Sequence, residues 1–203
     1  MVTQEGDNTL VVCVKGNFDD CQTEVKRMFS DKALGAALAE KGCGFSSANS
    51  SNIGRLVPQV AYYVWTYMQM VAQGALALGE KANFCVPTGN FGNILAAYYA
   101  GKMGLPVGKL ICASNDNKVL FDFFKTGPYD RRREFILTTS PSMDILISSN
   151  LERLIFEAVG SEGAASNTLM TALTKEGFYS LTEEQRKVMS DFESGFADMD
   201  DCA

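Results

Sequence analysis

The sequence predicts an α/β fold, a three-layer sandwich on a mostly parallel sheet. Two observations predict it. Short apolar runs (Leu10 to Val14, Asn83 to Val86, Lys109 to Ser114, Glu134 to Thr139) alternate with segments of helical period. The last three runs also end in polar exits, at 88–93, 114–117 and 140–144. Ligands of parallel sheets bind beyond the carboxyl ends of the strands, so these exits are expected to line one edge.

The elements follow in order. Leu10-Val11-Val12-Cys13-Val14 reads as a buried parallel strand, ended by Lys15-Gly16-Asn17. Asp19 with Gln22 forms a capping-box pattern before a helix carrying Val25, Met28 and Phe29. Asp31 caps a second helix, Ala33 to Lys41, closed by Gly42 and Gly44. The run Ser46-Ser47-Ala48-Asn49-Ser50-Ser51-Asn52 has two readings: a helix N-cap, or a polar anion-binding turn with Arg55 one turn on. Ile53 to Ala77 reads as a single buried core helix. Arg55, Gln59, Thr66, Gln69 and Gln73 interrupt it too often for a membrane span.

Beyond the central loop, helices are expected at Ile94 to Ala100 and Val119 to Lys125. Further helices follow a Ser149–Glu152 capping box, around Leu169 to Lys175, and after a Ser180–Glu183 box. The acidic end, Asp191 to Ala203, is expected to fray. The domains expected are 1–44, a β-α-α unit; 45–159, the core; and 160–203, a helical, partly mobile tail.

Composition narrows the function. The chain has 203 residues, 46% hydrophobic and 21% charged, as in ordinary globular proteins. Its net charge of −6 argues against nucleic acid as a partner, and Arg131-Arg132-Arg133 reads as a solvated loop. With no histidine, neither a Ser-His-Asp triad nor histidine metal ligation can form, and no metal site is expected. Six cysteines without C-x-x-C spacing point to a reduced, cytoplasmic setting, with Cys13, Cys85 and Cys112 acting as small hydrophobes. No leader is visible.

The stretch Val86-Pro87-Thr88-Gly89-Asn90-Phe91-Gly92-Asn93 sits between a strand and a helix. Its glycines permit positive φ and close ligand approach, and the helix start favours an anion. Without a lysine it is neither a Walker A loop nor a dinucleotide turn. It suits a phosphate held by amides alone, or it is an ordinary tight turn.

Six segments together resemble the threonine synthases, fold-type II pyridoxal-phosphate enzymes. They are Gly16-Asn17-Phe18-Asp19-Asp20-Cys21-Gln22, Ser47-Ala48-Asn49-Ser50, Pro87 to Asn93, Gly104-Leu105-Pro106, Ala113-Ser114-Asn115-Asp116-Asn117 and Ser140 to Asn150. The resemblance implies that Gly89, Asn90, Phe91, Gly92 and Asn93 cradle the phosphate of pyridoxal 5'-phosphate. It also implies conversion of O-phosphohomoserine and water to threonine and phosphate, with Ser47, Asn49 and Arg55 as substrate-binding candidates.

The family's Schiff-base lysine follows an aromatic residue and precedes an acidic or amide one. No lysine here has that context, since Lys125 follows Phe124 but precedes Thr126-Gly127-Pro128. No catalytic residue is therefore assigned. The chain reads as a central excerpt truncated at both ends, inactive alone, whose exposed surfaces allow a dimer. Alternatives are a threonine dehydratase or cysteine synthase of the same fold type, or a non-catalytic anion-binding α/β module.

Overall fold

The computed structural model describes residues 6–16, 18–47 and 52–196. Asn17 and Asn49 lie outside them. The chain divides into two compact units, 1–46 and 47–203.

The first unit contains helices α1 (Phe18–Ser30) and α2 (Lys32–Glu40). Helix α1 starts at Phe18, so Asp19, expected just before it, lies within its bounds. Asp31 caps α2 as expected, accepting from Ala33 N at 2.9 Å and Leu34 N at 3.0 Å. Gly42 follows at φ +68°. The strand expected at Leu10 to Val14 does not form: the segment has no regular secondary structure, and Leu10 and Val12 are 85% and 73% exposed. A strand exists only as part of a ladder, and among the described residues none pairs with this run.

The second unit begins with α3 (Ile53–Leu56), a 3-10 turn (Val57–Gln59) and α4 (Val60–Ala72). The single helix expected over 53–77 is divided because Pro58 has no N–H to donate. It also stops early, at Gly74 with φ +71°. Nor is the segment buried all round. Leu56, Val60, Tyr63 and Tyr67 face the core, whereas Trp65 is 66% exposed and Val64 and Met68 are exposed beside it. Among the described residues no helix is long and apolar enough to cross a membrane.

Strand β1 (Ala82–Pro87), helix α5 (Gly92–Lys102), strand β2 (Val107–Ser114) and helix α6 (Val119–Thr126) give the expected alternation. After them come β3 (Pro128–Asp130), α7 (Leu151–Ala158), α8 (Gly163–Glu176), β4 (Phe178–Ser180), α9 (Glu183–Arg186) and β5 (Phe192–Phe196). The main sheet is parallel in the order β1-β2-β5, with Cys85 opposite Ile111 and Cys112 opposite Ser194. Strands β3 and β4 form a separate antiparallel pair.

Ala82, Val86, Leu110, Cys112 and Phe192 turn one sheet face into the core, while Cys85 and Pro87 on the other face are exposed. Cys85 and Cys13 are thus exposed, and only Cys112 acts as the buried hydrophobe expected of all three. Helix α5 packs against β2, α4 and α7. That explains why Ile94, Leu95, Ala96 and Ala97 are all fully buried and the helix has almost no polar face.

Two further expectations change. No strand forms at 134–139, because side chains occupy its backbone groups. Asn117 Oδ1 accepts from Ile136 N at 2.9 Å and Asn117 Nδ2 donates to Ile136 O at 2.7 Å, while Thr138 N donates to Asp144 Oδ2 at 2.9 Å. Conversely, the first part of the end expected to fray, Phe192–Phe196, enters the sheet as β5, while 197–203 lie outside the described residues. Phe192 pins it, stacked 5.2 Å from Phe124 and 5.6 Å from Phe91.

Candidate functional site

The turn from β1 into α5 is held from three sides. Thr88 N donates to Ala113 O at 2.9 Å, continuing the ladder one step past β1. Gly89 lies so close to the 142–143 backbone that a Cβ there would sit 2.8 Å from Ser142 O. Phe91 takes a left-handed conformation (φ 68°) immediately before the first residue of α5, Gly92. Its ring is completely buried against Phe124 and Phe192, so the strained backbone is anchored by packing. Phe91 can therefore contribute to a ligand site through its backbone and not its ring.

Polar groups fix the rest of the loop. Asn93 Nδ2 donates to Pro87 O at 2.8 Å, and Tyr63 OH on α4 donates to Asn93 O at 2.9 Å. Ser148 Oγ donates to Gly89 O at 2.8 Å. Asn90 O accepts from both Asn150 N, at 3.1 Å, and Asn150 Nδ2, at 3.0 Å. In place of the Ser149–Glu152 capping box expected from sequence, Asn150 takes the cap position of α7 with its side chain bonded to the loop, and Ser149 Oγ donates to Asn90 Oδ1 at 3.4 Å. The later box is also shifted: Thr182 caps α9, with Gln185 as its partner.

With its carbonyls engaged in this way, the loop leaves its amides for a ligand. Among the described residues, the backbone N–H groups of Gly89, Asn90, Phe91, Gly92 and Asn93 find no acceptor. Five consecutive uncommitted donors lie at the start of an eleven-residue helix, a donor set that contains no cation. The phosphate of pyridoxal phosphate fits this donor set. Directly beside β1, Ser114 Oγ at the end of β2 is buried without a hydrogen-bond partner, a second uncommitted polar group at the same sheet edge.

The three polar exits do converge. Asp144 is 3% exposed, and its carboxylate collects four donors. Asn115 Nδ2 at 2.6 Å, Thr138 Oγ1 at 2.7 Å and Asn117 Nδ2 at 3.2 Å share Oδ1, and Thr138 N occupies Oδ2. Burial alone would push this carboxyl's pKa up. The hydrogen bonds outweigh it and hold the group below the usual carboxylate range.

The substrate-binding candidates are less gathered. Ser47 O accepts from Asn52 Nδ2 at 3.0 Å, and Asn52 Oδ1 caps α3 by accepting from Gly54 N at 2.9 Å. The N-cap reading of this stretch is thus made at Asn52. Arg55 is exposed on α3, which packs against α5, and Asn49 lies outside the described residues. Among the described residues no metal-binding cluster of His, Cys, Asp or Glu occurs.

Sequence reasoning missed Ser148 and Asn150 as residues that hold the loop. The signal was the polar run Ser148-Ser149-Asn150, which resembles a helix start closely enough to conceal its tertiary role.

The parallel sheet, with its row of uncommitted amides after β1, has counterparts among known proteins, and these are fold-type II pyridoxal-phosphate enzymes. The chain is 43% identical over 205 residues to "Threonine synthase-like 1" of Homo sapiens, covering all of the chain and 28% of that protein. It is 41% identical over 186 residues to the threonine synthase of Pseudomonas aeruginosa, covering 92% of the chain and 37% of the enzyme.

A crystal structure of pyridoxal-phosphate-bound threonine synthase from Brucella melitensis matches with TM-score 0.74 and 44% identity, over 90% of this chain and 37% of that one. The yeast threonine synthase matches with TM-score 0.72 and 35% identity, over 90% and 36%. No protein-family model matches the chain. The chain is a homologue of the threonine synthases, and it spans well under half the length of these relatives.

Proposed function

We propose that this chain carries the cofactor-phosphate half-site of a pyridoxal-phosphate-dependent threonine synthase, which converts O-phosphohomoserine and water to threonine and phosphate. The row of five uncommitted amides from Gly89 to Asn93 carries this reading. Gly89, Asn90, Phe91, Gly92 and Asn93 would hold the cofactor phosphate through backbone N–H groups, aided by the helix dipole. When bound, the cofactor supplies an electron sink for the departure of the substrate's phosphate and the addition of water.

The chain's own contribution is orientation. Ser148, Asn150 and Tyr63 fix the loop carbonyls so that the amides are already arranged when the anion arrives. Ser47, Asn49 and Arg55 are the proposed substrate-side residues, with Arg55 offering the positive charge the amide cradle lacks. No lysine of the chain has the sequence context of the family's cofactor-anchoring lysine, so the chain alone is expected to bind the cofactor without turnover.

The test is a titration of the chain with pyridoxal phosphate and with pyridoxal, paired with an assay for threonine from O-phosphohomoserine. Binding that needs the phosphate, without product, is the expected result. Equal affinity for pyridoxal would remove the cradle from the account, and threonine formation would overturn the inactivity. A second reading, cofactor binding without threonine synthesis, is favoured by the similarity to proteins named threonine synthase-like 1. Product analysis of the longer relatives with O-phosphohomoserine separates the two.

A further inference from the structure

We propose that Asp144 is a positioning residue for the phosphate-holding loop, acting through the segment that carries the loop's clamps. The inference rests on the cradle reading above and adds a residue to it. Asp144 touches neither the loop nor the space before the loop amides. It lies midway along a bracket that does touch the loop. Two residues before it, Ser142 O lies where a Cβ on Gly89 would collide. Four residues after it Ser148 Oγ holds Gly89 O, and at position 150 both donors of Asn150 hold Asn90 O.

The bracket needs an anchor because it is irregular. From residue 131 to 150 the chain forms no strand, only the short 3-10 turn Pro141–Met143. Asp144 supplies that anchor. Its carboxylate binds Thr138 twice, closing the 138–144 segment into a loop, and binds Asn115 and Asn117 from the exit of β2. Asn117 in turn holds both backbone groups of Ile136. Tyr129 extends the arrangement, donating to Leu146 O at 3.0 Å and accepting from Ser148 N at 2.9 Å. The β2 exit, the bracket and the phosphate loop are thereby tied in series, with Asp144 at the joint.

Acceptor chemistry explains why this position needs a carboxylate. Every group that Asp144 meets here is a donor, so an acceptor-only side chain satisfies all four. An asparagine would aim an N–H₂ either at Thr138 N or at the three donors sharing Oδ1. One of the two sets must then break, with partners buried and charge assistance lost.

The test uses ¹⁵N–¹H correlation spectra of the whole chain, unliganded and titrated with pyridoxal phosphate, pyridoxal and inorganic phosphate. In the wild type, the two phosphate-bearing ligands are expected to move the Gly89, Gly92 and Asn93 amide signals, and pyridoxal is not. In Asp144→Asn and in Thr138→Val, the same signals are expected to shift before any ligand is added. Affinity for pyridoxal phosphate should fall about tenfold or more, the usual scale for a lost charge-assisted hydrogen bond. Thr138→Ser keeps the hydroxyl and should retain wild-type shifts and affinity.

If the variants melt earlier but leave the loop amides and the affinity unchanged, the role is merely structural and the proposal is overturned. Should Asp144→Asn fail to fold, the Val and Ser variants at 138 decide the matter. A wild-type chain that binds neither phosphate-bearing ligand refutes the cradle reading, while the unliganded shifts still decide whether Asp144 positions the loop.

Discussion

Asn150 and Asn90 lie sixty residues apart in sequence, yet Asn150 donates both its backbone N–H and its side-chain amide to one oxygen, Asn90 O. This pairing ties the start of α7 to the loop that precedes α5, and it spends the loop's carbonyl so that the neighbouring amides stay uncommitted. Asn150→Ala removes one of the two donors and the Oδ1 that accepts from Arg153 Nε at 3.3 Å. Asn150 is 1% exposed, so the loss is not made up by water. Urea unfolding is expected to show a stability loss of about 1–3 kcal/mol, the range for breaking buried hydrogen bonds. An unchanged midpoint would show that the backbone bond alone holds the loop.

Gly89→Ala probes the same loop sterically. The added methyl would lie 2.8 Å from Ser142 O, a main-chain atom that cannot rotate away. Either the loop or the bracket must move, at a cost of about 1–3 kcal/mol for overpacking. Because the loop is the proposed cradle, affinity for pyridoxal phosphate should fall by more than that of Asn150→Ala. Equal affinities in wild type and Gly89→Ala would show that the close approach has no part in ligand binding.

How much of this was legible in the sequence depends on whether a residue's partners are local. The strand, loop and helix from Ala82 to Lys102 could be read because period, glycines and burial agree there. Asp31 and Gly42, which act within one helical turn, were equally clear. Leu10 to Val14 has strand composition, but a strand is made by its neighbour, and none of the described residues pairs with it. Glu134 to Thr139 has strand composition too, but its backbone groups are taken by Asn117 and Asp144 from elsewhere in the chain. Phe192 shows the converse: one aromatic residue among acidic ones recruits its segment to the sheet by stacking on rings about 70 and 100 positions earlier. The glycine turn between β1 and α5 was legible as a motif, whereas its supports at Ser148 and Asn150 were hidden in a pattern that also starts helices.

Acid should destabilise the protein through two identified aspartates. Hydrogen bonds hold Asp144 below its ordinary value against the effect of burial, and the Arg132 side chain holds Asp130 down at about 2. Both carboxylates titrate lower in the folded than in the unfolded chain, where the value is about 3.9. Their contribution is therefore complete above about pH 5 and is lost as pH falls towards the folded values. Denaturant midpoints measured from neutral pH downward should stay level and then drop in that acid range. Asp144→Asn should be less stable at neutral pH and show a shallower acid drop. Parallel curves for the two proteins would exclude Asp144 from the acid response.

Cysteine reactivity tests the sheet assignment independently of any ligand. Cys85 and Cys112 sit on neighbouring parallel strands but on opposite faces, the first exposed and the second fully buried. Burial pushes the Cys112 thiol up to about 12, outweighing a hydrogen bond to Thr88 that pulls the other way. A thiol both inaccessible and protonated does not react, because the thiolate is the nucleophile. Labelling of the native chain with a charged alkylating reagent, followed by peptide mapping, should modify Cys13, Cys43 and Cys85 quickly and leave Cys112 untouched. Adding denaturant should expose Cys112 only as the sheet unfolds, so its labelling curve should coincide with the loss of strand and helix signal. Early modification of Cys112 would mean that β2 does not lie with its Leu110–Cys112–Ser114 face against α5.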